Sequence, residues 1–220
     1  KVIEAALAEP DPAVAVFDSP DEREKWALMF ELAFTTGMRP GERYGLMPYQ
    51  LELHHGIPVI NVCQQAKPIP AGATIPDWME AEHLDGAIWL TKPKTAKGVR
   101  TVPIPQGLWD RLWAHIVKWD VPSHGLVFTN LYGHPIRRDN EEKRWRRALK
   151  MAGLPYVDIY SARHWLATEL AAAGASDEER TAIMGHTDIH TTSVYTHWRE
   201  RRLAETLESA IPDLRDGAKR

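Results

Sequence analysis

Apolar residues recur at three- and four-residue intervals over most of this chain, which predicts helices. Ser19, Pro20 and Glu22 form a helix start, with a capping serine and a proline suited to the first turn. Trp26, Met29, Phe30, Ala33 and Phe34 then make one core-facing stripe that Gly37 ends. The middle of the chain reads differently. Residues 57–62 and 87–90 are short apolar or β-branched runs that predict strands, and 66–86, rich in proline and glycine, predicts a surface insertion. The stretch TKPKTAKGVRTVPIP (91–105) predicts two strands joined by a tight turn at 96–98. Helices return at 106–119, with Leu108, Leu112, Ile116 and Trp119 on one face, and from a cap at Asp139 to about Met151. Further helices are predicted at 161–173, Asp177–Met184, and past Tyr195, where Leu203, Leu207, Ala210 and Ile211 form a stripe that Pro212 terminates. The sum is a mainly α chain with a small antiparallel β-sheet, an α+β fold.

Composition adds few constraints. At 220 residues the chain fits one large domain or two small ones. The lone Cys63 excludes an internal disulfide, fits a reducing compartment and reads as a small buried hydrophobe. No apolar run suits a membrane span or a signal peptide, and the chain opens inside a helix-like KVIEAALA without an initiator Met, as a fragment would. A net charge of −3 argues against nucleic acid, but the charge is segregated. Residues 137–150 are densely basic, Lys92, Lys94, Lys97 and Arg100 crowd one stretch, and acidic residues collect at the two ends. A phosphate-binding face and a solvated helix face are both open readings of the first cluster. The GxGxxG and GxxxxGK[ST] signatures of nucleotide-binding enzymes are absent.

The chemistry gathers around MGHTDIHTTSVYTHW, residues 184–198. Tyr195 there is either a packed amphipathic phenol or a covalent nucleophile. The second reading requires cations, and Arg39 in TGMRPGE, Lys94 before the predicted turn and Arg163 in the first turn of its helix supply them. Glu42 is placed either to orient the Arg39 region or as a surface carboxylate. His186, His190 and His197 have some metal-ligand spacing, but no cysteine or paired carboxylate completes a set.

Arg39, Lys94, Arg163, His186 and Tyr195, in this order and in their GMR and MGH…YTH contexts, resemble the catalytic domain of tyrosine recombinases, the phage integrase family. The resemblance spans about residues 19–198 and implies one catalytic domain over 1–220, with a C-terminal helix and tail at 199–220. Family members carry a separate N-terminal DNA-clamping domain, which is expected to lie outside this chain. The implied reaction cuts and rejoins DNA strands through a 3′-phosphotyrosyl link, with no metal or nucleotide cofactor. Tyr195 is then the nucleophile, Arg39 and Arg163 neutralise the phosphate, Lys94 protonates the leaving 5′-oxygen (Lys92 and Lys97 being its neighbours in register), and His186 bonds a phosphate oxygen. Where the family usually has histidine, Tyr160 stands in Tyr-Ser-Ala-Arg. A tyrosine there offers one hydroxyl but is a poor base near neutral pH.

The partners implied are double-stranded DNA at attachment sites, a homo-tetramer on DNA that is a monomer in isolation, and accessory directionality or bending proteins. The implied location is cytoplasmic, on nucleoid DNA, with no membrane. A type IB topoisomerase and a non-catalytic DNA-binding protein of the same fold remain as rival functions. The stripe from Leu203 to Ile211 packs either on its own domain or on a neighbouring protomer, the latter with 199–202 as a charged hinge.

Overall fold

In the computed structural model, residues 1–8, 19–93, 99–184 and 196–211 are described, the last group from its backbone alone over 196–200. Helix α1 (Val2–Leu7) precedes α2 (Pro20–Thr36), which runs through the centre of the molecule. Ser19 Oγ accepts the N–H of Glu22 at 3.2 Å, Pro20 occupies the first turn, and Gly37 closes the helix at φ 60°. The predicted single stripe is too narrow for what is seen. Helix α2 packs against α1, α4 (Gln106–Lys118) and α6 (Ser161–Ala172), and is buried on nearly every side. Its buried polar residues are accordingly partnered: Lys25 donates to Glu22 and to the carbonyl of Thr129, and Glu31 accepts from Arg111.

The strands form two three-stranded antiparallel sheets. In one, β1 (Leu51–His54), β2 (Ile57–Val62) and β6 (Arg100–Pro103) lie in that order. In the other, β5 (Ile88–Thr91) lies between β3 (Gln65–Pro68) and β4 (Ala81–Asp85). Two expectations are corrected here. The stretch 91–105 is no hairpin, because β5 and β6 belong to different sheets, Val62 pairing with Arg100 and Gln65 with Thr91. Residues 66–86 are more than a surface insertion, since they supply most of β3 and all of β4. The second sheet rests on α3 (Pro40–Tyr44). A Cβ on Gly45 would lie 2.7 Å from the backbone nitrogen of Ala66, so only glycine admits this approach.

Helix α5 is Arg138–Met151, and its cap is not Asp139. The cap is Arg137, two residues earlier, and the Asn140 side chain accepts the N–H of Arg137 at 3.1 Å. Trp145 of α5 is fully buried, edge-on to Phe30, and its indole N–H reaches the carbonyl of Val157 at 2.7 Å. Trp119, expected on the buried face of α4, is instead its half-exposed C-cap. Cys63 is only partly buried, within 3.7 Å of the Tyr49 hydroxyl.

Helix α7 (Asp177–Met184) packs on α6 and β6, and α8 (Thr196–Ala210) packs on α6, β6 and β2. Leu203, Leu207, Ala210 and Ile211 are all buried within this same chain, and residues 199–202 continue the helix rather than hinge it. Arg202 pins α8 to α7 by donating to Glu179 at 2.6 Å. No helix among the described residues is long and apolar enough to cross a membrane.

Candidate active site

Three chain segments meet where α2 ends. Gly37 turns the backbone into the left-handed region, and a side chain there would collide with Met184 Sδ at 2.9 Å and Leu166 at 3.0 Å. The turn therefore lets α2 abut α6 and α7, and it brings Arg39 and Arg163 to one place. Arg39 follows in extended backbone and Pro40 starts α3 immediately. Glu42, one turn into α3, accepts the backbone N–H of Arg39 at 2.7 Å and its Nη1 at 3.1 Å. The Arg39 side chain is 42% exposed, so its guanidinium is held on the protein side and open toward solvent.

Arg163 is buried, 3% exposed, in the first turn of α6. Its Nη1 donates to the carbonyl of Gly37 at 2.6 Å and its Nη2 to that of Met184. One guanidinium thus ties the ends of α2 and α7 together while keeping a fixed orientation. Burial, then the positive charges of Arg39 and Arg100, push its pKa down to about 10, with Tyr160 and Glu42 acting in the opposite sense. It stays charged near neutral pH.

Arg100 is the residue that the sequence misplaced. Counted with the lysines of a basic stretch, it is in fact buried at the start of β6, with a two-pronged bond to Glu42 at 3.0 and 2.8 Å. A signal for this exists: strand alternation puts Arg100 on the face of Val102, which is fully buried. Burial pushes the Glu42 pKa up, but the Arg100 hydrogen bonds and charge, then those of Arg39, hold it below the ordinary carboxylate range. Among these four residues, three guanidiniums face one carboxylate. The excess is positive, and it suits a bound anion.

Tyr160 immediately precedes α6 and is 41% exposed as a residue, its backbone N–H donating to Asp158 at 2.8 Å and its ring edge-on to that of His164 with centroids 5.2 Å apart. It lines one wall of a groove of about 1080 Å³ together with Pro40, Gly41, Lys67, Arg138 and Tyr156. Lys94, His186 and Tyr195 lie outside the described residues. Lys92, the neighbour of Lys94 in register, pairs with Glu80 on the surface. In the basic stretch 137–150, Arg138 pairs with Asp158 and Arg146 with Glu142 at the surface, and Arg144 approaches Glu22 at 3.9 Å. Among the described residues there is no group of three side chains placed to hold a metal ion.

A second buried network was not anticipated. Arg43 donates to the Met38 carbonyl at 2.7 Å and to Glu141 at 2.5 Å, and the Tyr44 hydroxyl donates to the same carboxylate. Burial and the Glu141 charge push the Tyr44 pKa up. This network fixes α3, and hence Arg39, against α5.

Residues 10–202 match the phage integrase family. Among curated relatives, a XerC-like tyrosine recombinase of Caldanaerobacter subterraneus is 29% identical over 82% of this chain and 48% of its own length. The tyrosine recombinase XerD of Halalkalibacterium halodurans is 26% identical over 87% of this chain and 56% of its own. The chain thus spans about half the length of the curated relatives it matches. The fold matches the integrase of transposon Tn1549, solved in complex with circular-intermediate DNA, with a TM-score of 0.61 at 20% identity over 89% of this chain and 67% of that one. It also matches the site-specific recombinase XerH, solved on its difH substrate, with a TM-score of 0.58 at 18% identity over 94% of this chain and 49% of that one. The helical body, the small antiparallel sheets and the match across 10–202 agree: this chain belongs to the phage integrase family.

Proposed function

We propose that this chain is the catalytic part of a site-specific DNA recombinase, a tyrosine-type strand transferase acting on double-stranded DNA at paired attachment sites. The observation that carries the reading is the convergence of Arg39 and Arg163 around the end of α2, with positive charge in excess over Glu42. A phosphodiester under attack gains charge on its non-bridging oxygens, and two oriented guanidiniums stabilise that charge more than they stabilise the ground state.

In the proposed step the Tyr195 hydroxyl attacks phosphorus and passes its proton to solvent, a bond forms between the phenolic oxygen and phosphorus, and the bond to the 5′-oxygen breaks. Lys94 donates a proton to that oxygen, which leaves as a 5′-hydroxyl. His186 bonds a phosphate oxygen. Religation by a partner strand's 5′-hydroxyl runs the same step backward and releases the tyrosine. Tyr160 takes the position of the family's usual histidine and offers the phosphate one hydroxyl hydrogen bond, leaving the base role to solvent. The cis-packed α8 argues that the DNA-free chain is a monomer, and assembly into a tetramer belongs to the DNA-bound state.

The test uses a library of duplexes with randomised cores and a nick that lets the cleaved end escape. Protein–DNA complexes that survive denaturant are recovered and their DNA sequenced. The expected result is a covalent adduct enriched for one sequence, absent with Tyr195→Phe. Supercoil relaxation without strand exchange between two such sites would point to a topoisomerase, and sequence-selective binding without any adduct would end the catalytic reading.

A further inference from the structure

Arg100 has no part in the chemistry proposed above, yet its geometry is more demanding than a stabilising ion pair requires. Each Glu42 oxygen accepts twice: Oε1 from Arg39 Nη1 at 3.1 Å and Arg100 Nη1 at 3.0 Å, Oε2 from the Arg39 backbone N–H at 2.7 Å and Arg100 Nη2 at 2.8 Å. The four lone-pair positions of the carboxylate are filled, so its plane is fixed by the Arg100 fork. The third nitrogen, Arg100 Nε, donates to the carbonyl of Ile183 at 3.1 Å, in the last turn of α7. Arg163 grips the next carbonyl, that of Met184. Two buried arginines from different elements therefore hold consecutive carbonyls at the point from which the chain runs on to His186 and Tyr195. In the other direction, Lys94 lies six positions before Arg100 in the sequence.

We propose that Arg100 is a positioning residue for strand cleavage: its fork on Glu42 sets the Arg39 guanidinium for the transition-state phosphate, and its Nε ties that setting to the end of α7. This rests on the recombinase reading. Arg39 is partly exposed and would otherwise sample many rotamers; Glu42 restrains it, and Arg100 restrains Glu42. A lysine in place of Arg100 would keep the charge and lose the fork. Displacing a charge-stabilising group by about 1 Å costs on the order of 10²-fold in rate.

The experiment measures single-turnover cleavage at saturating DNA, using a nicked duplex of the sequence recovered from the library. One version carries the ordinary scissile phosphodiester, the other a methylphosphonate, whose methyl group removes the negative charge that Arg39 would neutralise. Arg100→Met should cleave the phosphodiester about 10²-fold more slowly than the unsubstituted chain, with DNA affinity unchanged, and should recover most of that loss on the methylphosphonate. Arg39→Ala should show the same recovery, and Arg100→Lys should remain impaired on the phosphodiester. Equal slowing on both substrates, or no slowing, overturns the positioning role. If Arg100→Met does not fold, the Glu42→Gln/Arg100→Met pair replaces both buried charges. Its deficit should match that of Glu42→Gln alone, and multiplied deficits would overturn the proposal. Absence of any adduct with the unsubstituted chain would overturn the recombinase reading itself, whereas a normal adduct with an unaffected Arg100→Met overturns this inference alone.

Discussion

Replacing Leu207 by alanine tests whether α8 belongs to its own domain. Leu207 is 1% exposed, with Leu203 and Ile211 buried one turn to either side, over α6, β6 and β2. The substitution removes three carbon atoms from a closed interface. At about 0.8 kcal/mol per buried methylene, the transfer contribution alone is roughly 2.4 kcal/mol. The cavity left behind raises the expected loss to about 2.7–5 kcal/mol. For a chain of this size each kcal/mol lowers the melting temperature by about 2–4 °C, so the fall should be on the order of 10 °C. The assay is thermal unfolding of the DNA-free chain, with a urea titration to check that the slope, and so the exposed surface, is unchanged. Glu208→Ala, on the exposed side of the same helix, should stay within about 0.5 kcal/mol. A Leu207→Ala protein that melts within about 2 °C of the unsubstituted chain would refute packing in cis and favour a helix that finds its cover on another protomer.

Glu141→Leu strands the buried Arg43 guanidinium and should cost about 3–5 kcal/mol in urea unfolding, and a loss under about 1 kcal/mol would mean the Arg43–Glu141–Tyr44 network is not holding α3. Glu42 has a folded pKa below its ordinary 4.5, so its stabilising contribution is present above pH 4.5 and is lost as pH falls through the folded value. The stability gap between the unsubstituted chain and Glu42→Gln should therefore be constant above that pH and shrink below it, and a gap that widens in acid would reverse the assignment. Arg163→Ala should slow cleavage by roughly 10²–10³-fold, and a 5′-phosphorothiolate, whose sulfur leaves without a proton, should rescue Lys94→Ala but not Arg163→Ala; rescue of Lys92→Ala instead would move the acid to Lys92.

Much of the helical body was legible because its signals are local. Ser19, Pro20 and Gly37 mark the ends of α2 by capping chemistry, and Arg39 and Arg163 sit at helix boundaries where a guanidinium can be both anchored and presented. The second sheet was not legible. Ala81–Asp85 carries no β-branched residue, and its pairing with β5 is broken by a register shift between His83 and Asp85, so no clean alternation marks it. The false hairpin at 91–105 came from assuming that adjacent strands pair, whereas β6 reaches back to β2. Arg100 was hidden for a related reason. Its partner Glu42 is 58 positions away, and a run of neighbouring lysines made a buried positioning group look like part of a surface charge cluster.

The most direct test of Tyr195 as the nucleophile is to locate the covalent bond. The denatured protein–DNA adduct is digested with nuclease and protease, and the modified peptide is fragmented in a mass spectrometer. The expected product is a nucleotide joined through its 3′-phosphate to the hydroxyl of Tyr195. A nucleotide on Tyr160, which is exposed beside Arg163, or on any other side chain, would contradict that assignment.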